Sequence, residues 1–240
     1  MTPSFGRLTL VELRKMVDTR AGFWLQLTVA AITLAAVVVV CFIADTEDLT
    51  FQNLFIVAMT PGAVLLPIIG ILLVSSEWSQ RTALITFTLV PRRMRVMAAK
   101  LAAGLALGVI LLALSLLVAA AATLAIGGEW TLSADILGQI TILVLTAMVT
   151  GIAFGALFLS SAPAIVLSFV LPLGWAALAS IRFLKDAGEW LDTTRTTAPL
   201  TERALSGEEW AQLGTSMLLW LVLPLAIGLI RIARDEIRAA

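Results

Sequence analysis

The stretch GFWLQLTVAAITLAAVVVVCFIA, Gly22 to Ala44, runs through 23 residues without a single charge. A helix needs about 20 apolar residues to cross the ~30 Å hydrocarbon core of a bilayer, so this segment alone places the chain in lipid. Five more apolar runs follow, 54–76, 96–126, 136–159, 162–181 and 214–230, of which only 96–126 holds a charge, Lys100 near its start. Charges fall almost wholly between them. The expected fold is therefore all-α, a polytopic membrane protein with six transmembrane helices forming one transmembrane domain over residues 1–240.

Composition agrees. The chain is 60% hydrophobic and 13% charged, and its mean hydropathy is +1.02, whereas a soluble domain carries about 25% charged residues. The 16 basic and 16 acidic residues cancel, so no net basic field exists to neutralise phosphates and nucleic acid is not an expected partner. The chain has no His and one cysteine, Cys41, inside the first run. A cysteine there suits packing, and the commonest general base and metal ligand is missing. The first twenty residues are too charged, and the run behind them too long, for a cleavable leader.

Alternate connections differ sharply in charge. Arg7, Arg14, Lys15 and Arg20 precede the first run; Arg81, Arg92, Arg93, Arg95 and Lys100 surround the second connection; Arg231, Arg234 and Arg238 follow the last run. This set holds twelve of the 16 basic residues. The other set carries Asp45, Glu47, Asp48, Glu129 and Asp135, and an extended connection over 182–213 with more acids than bases. Because basic loops stay in the cytoplasm, both termini are expected there. A second run that only re-enters the membrane at Pro61 and Pro67 would place Arg92, Arg93 and Arg95 on the outer side, against this rule.

Before the first run, Phe5, Leu10, Leu13, Met16 and Val17 share one helical arc, with Arg7, Arg14, Lys15 and Asp18 opposite. Residues 1–20 thus read as an interfacial helix lying in the headgroup plane. The loop 77–95 has charged ends, an apolar centre too short to span, and a stop at Pro91. It reads as a surface helix that needs cover from headgroups or from a partner protein. Gly104 and Gly108, and Gly151 and Gly155, have the four-residue spacing that lets membrane helices approach closely. Trp190 and Trp210 read as interface anchors of the outer connection, where 202–205 and 208–213 suggest short helices.

Catalytic motifs are missing where they would be sought. The sequence has no GxxxxGK[ST] loop, no HExxH and no CxxC, and no charge near the middle of any run. A mid-membrane charge usually marks an ion or proton path, so ion-coupled transport is not expected. Nothing in the chain couples to an energy source, which leaves energy delivered by another polypeptide at the basic face.

The stretch SSEWSQRTALITFTLVPRRMRVMAAK, Ser75 to Lys100, resembles the Glu, Gly-Thr, Pro-x-Arg, Lys pattern of the ABC-2-type permeases, membrane subunits of ABC exporters. Glu77, Thr82, Pro91, Arg93 and Lys100 match it, while Arg81 stands where the family has Gly. The leading VELRKMVDTR (Val11 to Arg20), the six runs and the closing RIARDEIR (Arg231 to Arg238) extend the resemblance over nearly the whole length. The resemblance implies a permease with no enzymatic activity or cofactor of its own, paired with a second permease subunit as homodimer or heterodimer. It also implies an ABC-type ATP-binding subunit that holds ATP and magnesium. The coupling loop would be carried by Glu77, Arg81, Thr82, Pro91, Arg92, Arg93, Arg95 and Lys100, and the cargo would be a drug, antibiotic, peptide or lipid leaving across a bacterial plasma membrane. The competing readings are a non-transporting assembly or sensor subunit and, less well supported by the residues, an intramembrane enzyme.

Overall fold

The first three helices begin where a hydroxyl takes up one of the first free N–H groups, because the opening turn of a helix has no backbone acceptors of its own. In the structure, a computed structural model that describes residues 4–80, 88 and 92–234, Ser4 Oγ accepts from Arg7 N at 3.3 Å and opens α1, Phe5–Asp18. Thr19 Oγ1 accepts from Gly22 N at 3.1 Å and opens α2, Arg20–Ile43. Thr50 does the same for α3, Phe51–Ser79, through Asn53 N at 3.2 Å. Helix α4, Arg93–Ile126, ends at Gly127, whose φ of +69° is the left-handed stop that glycine adopts without steric cost. Helices α5, Ala134–Phe158, and α6, Ser161–Ala179, are separated only by Leu159 and Ser160. Leu159 there takes a φ of 53°, unusual for a residue with a side chain.

After the short helices α7, Lys185–Leu191, and α8, Thr193–Thr197, comes α9, Gly207–Arg234. Helices α2, α3, α4, α5, α6 and α9 are each long and apolar enough to cross a membrane. No strand occurs among the described residues, where a single bridge joins Thr50 to Glu129. The protein is an all-α polytopic membrane protein with six spanning helices.

The helices outgrow the sequence expectation at several ends. The second run lengthens from 54–76 to Phe51–Ser79 and passes through both prolines as one helix, so it spans rather than re-enters. The third starts at Arg93, which shortens the 77–95 loop from both sides. The last span starts at Gly207 rather than 214. Ser206 and Glu209 form a reciprocal capping box there, a local signal strong enough to begin the helix in polar sequence. The outer connection is correspondingly shorter than 182–213. Residues 208–213 are the first turns of α9, and 202–205 form a turn, not a helix. A π-turn, Leu218–Val222, interrupts α9 just before Pro224, whose missing N–H cannot continue the regular ladder.

Glycine sets the packing of the inner helices. A Cβ on Gly151 would sit 2.1 Å from the Pro67 carbonyl oxygen, and one on Gly70 would sit 2.6 Å from that of Met148. Helices α3 and α5 therefore touch backbone to backbone. On the other sides of α5, Gly104 faces Met148 and Ile152, Gly108 faces Leu145, and Gly228 of α9 faces Ala156. The four-residue glycine spacing thus marks close contacts on both α4 and α5. Helices α3 and α5 form the centre, and the remaining spans leave most of their surface for lipid.

The two ends of the bundle are finished differently. At the end away from α1, Phe51 N donates to Glu129 O at 2.8 Å, Phe51 stacks on Trp130, and Ser133 N donates to Gln52 Oε1 at 3.0 Å. Buried Gln139 reaches out of α5 to fix the stretch before α9. Its Nε2 donates to Leu200 O (3.0 Å) and Arg203 O (2.8 Å), and its Oε1 accepts from Leu205 N (2.9 Å). Gln139→Leu removes all three bonds, each worth about 1 kcal/mol net. The expected result is faster amide exchange at Leu205 and its neighbours with the spanning helices still protected, read by hydrogen exchange in detergent.

Candidate functional site at the α1 end

Three helices bring one charge cluster together. Glu12 and Met16 lie four residues apart on α1, hence on one face, and both are buried. Below them stand Glu77, near the end of α3, and Lys100, in the second turn of α4. Lys100 Nζ lies 2.6 Å from Glu12 Oε2 and 3.3 Å from Glu77 Oε1, and donates to the Leu73 carbonyl at 2.9 Å. Lys15 Nζ bridges the same two acids at 2.7 Å each. The four charges cancel. Lys100 is only 2% exposed and Glu12 3%, so water is nearly shut out and these partners take its place around both groups.

Lys15 lies outside the spans and half in water. Burial works against its charge, but its hydrogen bonds to Glu12 and Glu77, together with their negative charge, prevail, and its pKa lies above the usual lysine value. The ammonium therefore stays charged throughout the neutral range.

Around this cluster the expected residues divide. The interfacial arc splits in two. Leu13 and Met16 turn onto the bundle, while Phe5, Leu10 and Val17 stay exposed on α1. Of the expected coupling residues, Glu77 and Lys100 point inward to the cluster. Arg93 Nη1 donates to the Ile232 carbonyl of α9 at 2.9 Å, tying the start of α4 to that helix. Arg92 is exposed and Arg95 half-buried at the start of α4. Arg81, Thr82 and Pro91 lie outside the described residues. Glu12 was not among the expected residues, because its neighbours Arg14 and Lys15 make the stretch read as a solvated face. The signal was its spacing from Met16.

The α1–α2 joint is an elbow. Gln26 Nε2 donates back to Met16 O at 2.9 Å, and a Cβ on Gly22 would lie 1.9 Å from that same oxygen. Gly22→Ala is expected to swing α1 off the bundle. Exposure of Cys introduced at Met16, read by thiol labelling, should rise severalfold over the same Cys in the Gly22 background.

Beside the elbow is a cavity of about 670 Å³, walled by α1, α2 and the end of α3 and closed by Ser161 of α6. Ser161 Oγ also lies 2.8 Å from Ser75 Oγ, which ties α6 to α3 beside the cavity. A smaller cavity of about 220 Å³ lies deeper, between α2, α3 and α4, where Thr33 and Ser115 both donate to the Ala58 carbonyl. Among the described residues no group of three His, Cys, Asp or Glu side chains is placed to hold a metal ion.

Fold and site together define a six-span helical membrane protein with a largely buried charge cluster and an adjoining cavity at its α1 end. The chain matches no protein-family model, no curated protein and no solved structure.

Proposed function

We propose that this chain is the permease subunit of an ATP-driven exporter of the ABC-2 type, moving an amphipathic or hydrophobic substrate out across a bacterial plasma membrane. Its α1 end and both termini then face the cytoplasm. The observation that supports the reading best is the charge cluster. The two helices that flank the 80–92 connection are joined to α1 near their facing ends, α3 through Glu77–Lys15 and α4 through the buried Lys100–Glu12 pair, and to each other through Lys100–Glu77. A partner that pushes on that connection would move three helices at once, the mechanical transfer required of a chain whose sequence has no phosphate-binding loop. The basic residues of the α1 end, and the resemblance of Ser75 to Lys100 to the coupling region of such permeases, point the same way.

The test is purification of the chain in mild detergent from cells that also express an ATP-binding-cassette subunit encoded beside it. The reading expects both chains and a second permease copy to co-elute. It also expects Arg92→Glu to leave the complex assembled while lowering ATP-dependent transport into inverted vesicles at least tenfold. Transport by the purified solitary chain, or outside labelling of a Cys placed at Arg92, would overturn it.

A further inference from the structure

The cavity beside the elbow has a gradient of polarity along α3. On α3 and its cap residue Gln80 the wall runs from Ile69 to Gln80, twelve residues and about 16 Å of helix rise. Ile69, Leu72 and Leu73 form the deep half, and Ser76, Glu77, Ser79 and Gln80 the shallow half. Helix α2 repeats the order, with Arg20 at the mouth and Leu25 below. A volume of about 670 Å³ lies within the ~300–1,000 Å³ of ordinary small-molecule sites. Charge in the wall is not balanced. Lys15 and Glu77 hold each other at 2.7 Å, which leaves Arg20 as the surplus charge. The Arg20 guanidinium has no hydrogen bond or ion pair with any described residue, and a guanidinium is the side chain best suited to a phosphate fork.

We propose that this cavity binds one amphiphile with an anionic phosphate head, the head on Arg20 and the shallow hydroxyls and amide, and the hydrocarbon tail along Leu25 and Leu72. The inference stands on the cavity alone and does not rest on the transport reading. Two sources share the chemistry: a two-chain phospholipid of the bilayer and a single-chain alkyl phosphate.

Native mass spectrometry of the whole purified protein distinguishes them. The protein is loaded in separate arms with phosphatidylglycerol, phosphatidylcholine or dodecyl phosphate. One phosphatidylglycerol or one dodecyl phosphate per chain should be retained at least tenfold over phosphatidylcholine, and whichever displaces the other at equal concentration is the fitting source. Arg20→Gln should abolish the preference over phosphatidylcholine. Leu72→Trp, which fills the deep half, should lose the bound molecule altogether. Circular dichroism and elution volume confirm that both variants are folded, and Leu27→Trp on α2, outside the cavity wall, serves as a control that retains the ligand. Equal retention of phosphatidylcholine, or an unchanged preference in Arg20→Gln, overturns the proposal. A variant that fails to fold is replaced by Leu25→Trp, which must give the same loss.

Discussion

Lys100→Met is expected to lower the thermal unfolding midpoint of the detergent-purified protein by roughly 10 °C. Removing one member of a buried ion pair costs about 3–5 kcal/mol, because the other charge is left without a partner, and each kcal/mol is worth about 2–4 °C in a chain of this size. Here the stranded group is Glu12, whose side chain is 4% exposed and would keep only Lys15, while the Leu73 carbonyl would lose the ammonium that adds to its helix bond. The double variant Glu12→Leu with Lys100→Met leaves the Lys15–Glu77 pair neutral by itself. It should recover most of the loss, a coupling that a double-mutant cycle reads directly. If the two losses simply add, the cluster is not the unit described above.

Gly151→Ala is expected to do greater harm with a single methyl group. Its Cβ would lie 2.1 Å from the Pro67 oxygen and 2.7 Å from two further Pro67 backbone atoms, so no rotamer change relieves it. Only separation of α3 from α5 can, and that opens the centre of the bundle. Ordinary overpacking costs about 1–3 kcal/mol where side chains can yield; this site exceeds that, and the variant should yield little monodisperse protein by size-exclusion chromatography. Gly138→Ala, on the same helix with open space around it, is the control. It should be neutral or gain up to about 1 kcal/mol from helix propensity. Normal yield of Gly151→Ala would refute the close approach of these two helices.

Much of this fold was legible because the bilayer writes in long words. A run such as Gly22 to Ala44 has few alternatives once water is absent. Helix ends were less legible, since they answer to single residues. The start of α9 at Gly207 was set by Ser206 and Glu209, a pair readable in the sequence but overruled by the low hydropathy around it. The glycine pairs were read correctly as contact points but not assigned to partners, because spacing along one helix says nothing about which helix faces it. The site was half legible. Glu77 and Lys100 were singled out, as surface residues of a loop. Their inward turn depends on Glu12 arriving from α1, a meeting of residues 65 and 88 positions from it in sequence that no local pattern encodes.

The two-residue joint at Leu159 and Ser160 has its own outcome. Two residues reach at most about 7 Å, and Leu159 already sits in a tight left-handed bend. There is no slack to let α6 slide while α5 stands still. A shift of the first turn of α6 is therefore felt directly at the last turn of α5, which is one of the two helices at the centre of the bundle.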